Sequence, residues 1–488
     1  MKNSTRKIIL LAIAISGLGF SRLSKASPES DLRKLWKETV RAASDKDHMK
    51  RAQLLESLDF YHLALEDYLW AGIKNPLEGR ALARAGELSL ILERGADLDR
   101  LLMVLRRNGL PTSNWPAALR ISAALTESRA GNYAVAKVLI PSRSELNNIK
   151  DREARDLAFL HAASIEWQQG DLNSASAYLQ GGIDNKSKID GGIFRLQKAR
   201  LYYEAQKFSD SMMELAKLSR TSTSWYGGVI VGAWSAYLMG DYNLTLGQLM
   251  TLQSPFLVRK FLPESYILQA ATLYQLCHYQ SAKRSLEILK AQYSRLPAAI
   301  DRFGRQYRSS QQKIAAVIGH VRGRTVTLGG FDNVMVDRLM DGIYQDDTLP
   351  RLDRSLIQIA SESKRFEALF PDAQTPAYKI LRARYTKNLK DGRDWIYRLF
   401  GRAIYRRLDQ MKTDVADAFE NLLPIQVEIN TQIRDRLVKS RVPVGVDVEF
   451  DAEIKDGFEF WPFQGEYWRD EVGSYAFATT GVCREQGL

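Results

Sequence analysis

Cysteine is nearly absent from this sequence. Cys277 and Cys483 are the two in 488 residues, too few to staple a chain of this size, so packing must hold the fold. Sequence alone does not bring the two sulfurs within bonding reach, and two separate thiols is the preferred reading. Histidine is as sparse: His48, His62, His161, His278 and His320 stand one at a time, with no His-x-x-x-His and no Cys/His cluster of metal-ligand spacing. A Gly-x-Ser-x-Gly elbow and a Gly-x-x-x-x-Gly-Lys phosphate loop are also missing. Acid pairs assembled in space leave no local trace, yet nothing here points to catalysis. The expectation is a non-enzyme with no cofactor and no metal.

Long apolar runs are missing too. After residue 26 nothing approaches eighteen consecutive apolar residues, so no transmembrane segment is expected in the mature chain. The one apolar run, Ile8 to Phe20, follows Lys2, Arg6 and Lys7 and precedes Ser24-Lys25-Ala26, the three-part form of a secretory leader cleaved after Ala26. An uncleaved anchor is the alternative, but the run is short for a bilayer. No cysteine follows it, which leaves a lipid-anchored form without support. The chain is therefore expected in a bacterial periplasm or outside the cell. There its net charge of +12 would meet lipid headgroups, anionic wall polymers and acidic proteins, not nucleic acid.

What the chain has is helical periodicity. Residues 30 to 290 are rich in Ala, Leu, Lys, Arg, Glu and Gln, with apolar positions three and four apart. Short Gly-polar-aromatic stretches recur, such as "GNY", "GDL" and "GDY", and give seven anchors: Tyr61, Leu98, Tyr133, Leu172, Phe208, Tyr242 and Tyr279. Their spacings are 37, 35, 39, 36, 34 and 37 residues, the length of a helix-turn-helix repeat. Nine residues before each anchor the side chain is always small: Ala52, Ser89, Ala124, Ala163, Ala199, Ala233, Ala270. Three after it come Ala64, Leu101, Ala136, Ala175, Ser211, Thr245 and Ala282, and seven after it an apolar residue. Small residues let two helices approach, and the larger ones fill the groove to the next pair.

These positions resemble the tetratricopeptide-repeat family over roughly residues 45 to 290. The resemblance implies stacked antiparallel helix pairs whose concave groove holds peptides or helices of partner proteins. Departures are an aromatic near the start of the first helix that recurs only in places, as at Phe159 and Tyr266, and a closing proline that is mostly missing. The matched positions are core positions, so the resemblance transfers no binding residue.

The region from 291 to 445 reads as a further helical domain, with helices over Leu296 to Val321, Val334 to Tyr344, Pro350 to Leu369, Pro376 to Leu389 and about Trp395 to Val438, the last broken at Pro424. "GRTVTLGG", Gly323 to Gly330, is a short strand or a loop. A basic stretch with interleaved aromatics, Lys379 to Arg407, includes the surface candidates Arg398 and Arg402; a solvated face whose aromatics point inward is favoured over a ligand site.

The end, 446 to 488, differs in kind. From Asp447 onward there are ten acidic residues against three basic ones, a net charge of −7 opposite in sign to the whole. Asp447 to Ile454 alternates acid and apolar as a strand does, without a calcium-loop spacing. A dense aromatic run follows, from which Trp461, Phe463, Tyr467 and Trp468 are the candidate partner contacts. Folding back on the helices as a small β-containing cap is favoured over docking on a partner, because charge would hold it and bare aromatics are a liability. "WPFQGEYWRDE" is similar to the C-terminal ends of repeat proteins in envelope and gliding-motility clusters.

The expected architecture is thus all-α: an α-solenoid (27–290) after a leader (1–26), then the helical domain (291–445) and the aromatic cap (446–488). The expected function is an exported scaffold for envelope proteins, serving motility or secretion, through its repeat groove and with anionic polymer or lipid as a further partner. The alternative is a peptidoglycan-binding protein or wall hydrolase. A lytic transglycosylase would need a Gly-Leu-Met-Gln-like stretch after its Glu-Ser, and none follows "PESY" at Pro263 to Tyr266.

Overall fold

A computed structural model of the chain describes residues 48–185, 189–257, 259–307, 317, 329–346, 348–369, 376–439, 466–469, 471–477, 479, 481 and 483. The leader, the strand-like Asp447 to Ile454, most of "GRTVTLGG", His320, Trp461 and Phe463 lie outside the described residues.

Seven helical hairpins follow one another. They are α1 (His48–Ser57) with α2 (Tyr61–Lys74), α3 (Gly79–Ile91) with α4 (Asp99–Arg107), and α5 (Ala117–Arg129) with α6 (Tyr133–Leu139). A single turn, α7 (Arg143–Asn147), leads to α8 (Arg152–Gln168) with α9 (Leu172–Asp184). The last three are α10 (Gly192–Glu204) with α11 (Phe208–Leu215), α12 (Trp225–Leu238) with α13 (Tyr242–Gln253), and α14 (Pro263–Gln275) with α15 (Tyr279–Tyr293).

Six of the seven sequence anchors are the first residue of a second helix; the seventh, Leu98, ends a 3-10 turn directly before α4. The turn geometry explains the motif. Two residues before an anchor the backbone is left-handed, at Gly131, Gly170 and Gly240 (φ 77° to 83°) and also at Asp59, Gln206 and Cys277 (φ 58° to 63°). Glycine enters that region freely, whereas other residues meet their own Cβ there. The aspartate after two of the glycines caps the second helix: Asp171 accepts from the Ser174 N–H at 3.0 Å and Asp241 from the Leu244 N–H at 2.9 Å. The small positions before the anchors are all buried, as are the residues three after them, including Leu101. The backbones of α3 and α5 come closest at Gly86, where an added Cβ would stand 2.4 Å from the Leu119 nitrogen. This is a tetratricopeptide-like helical-repeat fold.

Among the described residues, helices α16 (Leu296–Tyr307), α17 (Asn333–Tyr344), α18 (Thr348–Leu369) and α19 (Pro376–Lys439) follow. The expected pair of helices before and after residues 390–394 is one helix of 64 residues, and Pro424 lies inside it without ending it. Proline removes one hydrogen bond and costs about 3 kcal/mol in a helix interior. Side chains on both sides of it are held: Leu422 and Ile429 are buried, Gln426 accepts from Lys290 at 2.8 Å, and Glu428 accepts from the Tyr274 hydroxyl at 2.9 Å. Helix α19 packs on α2 near its start and on α14 and α15 farther along, with α16, α17 and α18 against it.

Two further expectations are corrected. Among the described residues there is no strand, so the tail is not β-containing there; the Gly473 N–H and both main-chain groups of Thr479 are met by helix side chains instead of a ladder. And the cysteines are not separate thiols: Cys277 and Cys483 form a disulfide with Cα atoms 5.4 Å apart across 206 residues. The tail folds back along α13, which carries Cys483 to the turn between α14 and α15.

Candidate partner-binding surfaces

First helices of neighbouring hairpins touch one another, α3 on α5, α5 on α8, α10 on α12 and α12 on α14, and α3 also reaches α8, two hairpins on. Contact that skips a hairpin is geometrically open only on the inside of a curved stack, so these helices line its concave face. Trp167, Tyr203, Trp234 and Tyr237 stand half-exposed on these first helices. The Trp167 indole of α8 donates to the Glu204 carboxylate of α10, and the Trp234 indole of α12 donates to Glu264 of α14 at 3.2 Å. Trp234 packs edge-on to Tyr237 at 6.2 Å between ring centres, and Tyr203 packs edge-on to Phe208 at 5.6 Å.

Glu264, at the start of α14, gathers charged neighbours from two other helices. Its side chain reaches solvent, yet protein surrounds it: burial pushes its carboxyl up, the Trp234 hydrogen bond opposes this, Asp414 reinforces it, and Arg200 and Arg407 oppose it. Arg200 comes from α10, and Arg407 and Asp414 from α19, so the long helix passes the α14 end of the face. The surface offers half-exposed aromatic rings with the carboxylates of Glu204, Glu264 and Asp414 and the guanidinium groups of Arg200 and Arg407 near them.

The opposite end of α19 is locked by a buried ionic cluster. Asp67 of α2 is fully buried and accepts from Arg51 at 2.6 and 2.8 Å, from His48 at 2.7 Å and from the Tyr385 hydroxyl of α19. Burial alone would raise its carboxyl, but hydrogen bonds from Arg51, His48 and Tyr385 outweigh that and hold it below the ordinary value. Arg384 bonds Glu66 beside it and stacks on Trp70 at 5.1 Å. Every lone pair of Asp67 is engaged, which makes the cluster a clamp and leaves no open position for a ligand. Among the described residues no group of three or more His, Cys, Asp or Glu is placed to hold a metal, and no helix is long and apolar enough to cross a membrane.

The residues singled out from the sequence fall on two separate elements. Arg398 and Arg402 are exposed on α19, their guanidinium groups 5.6 and 5.7 Å from the centre of the Trp395 ring. That ring faces inward, its N–H donating to the Glu93 carbonyl at 3.1 Å, while Tyr385 and Phe400 are fully buried. Tyr467 and Trp468 belong to the tail: Tyr467 packs edge-on to Tyr475 at 5.8 Å, and Trp468 is 61% exposed. Sequence reading missed the tryptophan–glutamate pairs because Trp167 and Trp234 stand five and eight residues before their anchors, out of register with the repeat.

A helical-repeat protein is the class that this fold defines. No family model matches the chain, and no curated relative matches it. Among solved structures it is similar to the TPR domain of P58(IPK), at 13% identity over 71% of this chain and 98% of that one, with a TM-score of 0.19. It is also similar to yeast Tom70, at 11% identity over 85% and 96%, with a TM-score of 0.22. Likeness at that level carries no weight, and the class rests on the seven hairpins themselves.

Proposed function

We propose that this chain is a scaffold that holds protein partners on its concave face, within a cell-envelope complex serving motility or secretion. The observation that carries the reading is the face itself: Trp167, Tyr203, Trp234 and Tyr237 half-exposed on consecutive first helices, with Glu204 and Glu264 fixed beside them. Aromatic anchors near acceptors are what peptide-binding surfaces present. Export is supported by the leader-like start and by the disulfide, which persists in oxidising compartments. Exposed Arg398 and Arg402 are the cations this reading assigns to anionic envelope polymer or lipid.

A photoreactive residue in place of Tyr203 tests the face against the same residue in place of Val138, which is 75% exposed on α6. One defined envelope protein linked from position 203 and not from 138, and lost in Trp234→Glu, supports the reading. Equal labelling from both positions sinks it. Export is tested separately: the mature chain from an envelope fraction should begin at Ser27, and an intact Met1 start would overturn that part.

A further inference from the structure

The described tail residues do not merely lie near α13; helix side chains grip their backbone. The Asn243 side-chain amide takes both main-chain groups of one tail residue, accepting from the Thr479 N–H at 3.0 Å and donating to the Thr479 carbonyl at 3.2 Å. Four residues along the helix, Gly247 leaves room for the Tyr475 carbonyl, which would stand 2.1 Å from an added Cβ. Four further on, Thr251 accepts from the Gly473 N–H at 3.1 Å. Asn243, Gly247 and Thr251 share one helix face. At the ends, His278 meets the Thr479 hydroxyl at 3.2 Å and Arg220 donates to the Ser474 hydroxyl. Most of these contacts read main chain, so they select an extended segment more than its side chains. At the far end the Cys277–Cys483 bond fastens the segment down.

We propose that this face of α13 is a binding site for an extended polypeptide segment, occupied here by the chain's own C-terminus, and that the occupant exchanges for the same segment of a second copy once the disulfide is opened. The site is distinct from the concave face, and its occupant is identified by the segment already seated in it. A dithiol opens the bond. One thiolate attacks the half-buried Cys483 Sγ, and the S–S electron pair leaves on Cys277, whose sulfur accepts from the Tyr279 hydroxyl at 3.4 Å. The second thiol resolves the mixed disulfide; the reductant ends as a disulfide and its two protons end on Cys277 and Cys483.

The test uses two full-length variants, Cys483→Ser and Cys277→Ser, mixed in equal amounts and treated with oxidised glutathione, which is itself reduced to two thiols as each bond forms. Neither can close the loop alone. The mixed Cys277–Cys483 pair reports the Cys483 tail of one copy seated on the Cys277 copy, and it also collects a minor exchanged population in competition with the resident tail; symmetric Cys277–Cys277 and Cys483–Cys483 pairs need no seating and are told apart by a size tag on the Cys277→Ser chain. The mixed pair, at the summed mass of one tagged and one untagged chain, is expected on a non-reducing gel. Gly247→Ala in the Cys277-bearing copy should cut its yield at least tenfold. Alanine favours the helix over glycine, so helicity should hold even as the added Cβ also displaces the resident tail, and loss of the pair with helicity kept then reports the blocked site. Absence of the pair, or a yield indifferent to Gly247→Ala, overturns the proposal. Hydrogen exchange over residues 242–253 should quicken several-fold when the unaltered chain is reduced; unchanged exchange would overturn control by the disulfide.

Discussion

Glu362 is the residue whose removal should change the pH dependence of this fold most plainly. It lies on α18, fully buried, with its carboxylate over the start of α2, where it accepts from the His62 N–H at 3.0 and 3.1 Å and from Gln358 at 3.0 Å. Helix α2 has no capping side chain of its own at Phe60, so Glu362 caps it from another helix. Burial pushes its carboxyl up to about 7 despite these hydrogen bonds and those from the Leu63 and Tyr61 backbone. The sign follows from comparison with the ordinary value of 4.5. Below 4.5 both the folded and the unfolded chain hold the proton, and the group leaves stability alone. As pH rises from 4.5 to about 7 the unfolded chain gains its charge without cost while the folded chain keeps the proton, so stability falls. At about 1.4 kcal/mol per pH interval of one, the loss approaches 3 kcal/mol by pH 8. Glu362→Gln keeps shape and one acceptor but cannot titrate. Urea midpoints of both chains at pH 4.5, 6, 7 and 8 should diverge, the variant gaining on the unaltered chain by about 3 kcal/mol from the lowest pH to the highest. Parallel profiles would refute the account, and a variant that loses ground with rising pH would mean that the helix N-terminus, and not burial, controls this carboxyl.

Asp67→Asn should cost about 3 to 5 kcal/mol, because Arg51 would be left buried without its counter-charge, and Tyr385→Phe about 1.5 to 3 kcal/mol by removing one charge-assisted donor; denaturant titration reads both. Gln206→Gly should raise stability by about 1 kcal/mol because it relieves a left-handed turn, while Gly240→Ala, with φ at 79° and open space around it, should lower stability by about as much through backbone alone. Pro424→Ala should stabilise the chain by up to about 3 kcal/mol and slow amide exchange near Glu420 to Leu423; a loss of stability would show that the helix needs its proline there.

The repeat was legible because a hairpin stack writes each packing demand into the chain about every thirty-six residues. Ala163 and Ala270 are small because two helices meet there, and Gly170 and Gly240 recur because the turn is left-handed. Gln206 and Cys277 hid the same turn behind residues that tolerate it at a cost. The single helix from Pro376 to Lys439 was not legible, since local signals at Gly392 and Pro424 argue for breaks and only distant partners such as Met411 on Gly342, or Gln426 beside Lys290, override them. The disulfide was hidden for the same reason: its two sulfurs meet only after the tail has lain down along α13. Of the candidate contacts, Arg398, Arg402, Tyr467 and Trp468 have assigned places, whereas the concave tryptophans carried no periodic mark.

Between Tyr385, clamped to the first hairpin, and Glu428, bonded to the last, α19 runs 43 residues, roughly 65 Å of helix. A linear repeat array melts from its ends, because terminal units have one neighbour instead of two. Here the two terminal hairpins share a neighbour. Fraying at either end must also break the helix that supports the other, so the seven units lose their independence and unfolding should proceed as one event, with amide protection at the first and last hairpins rising and falling together.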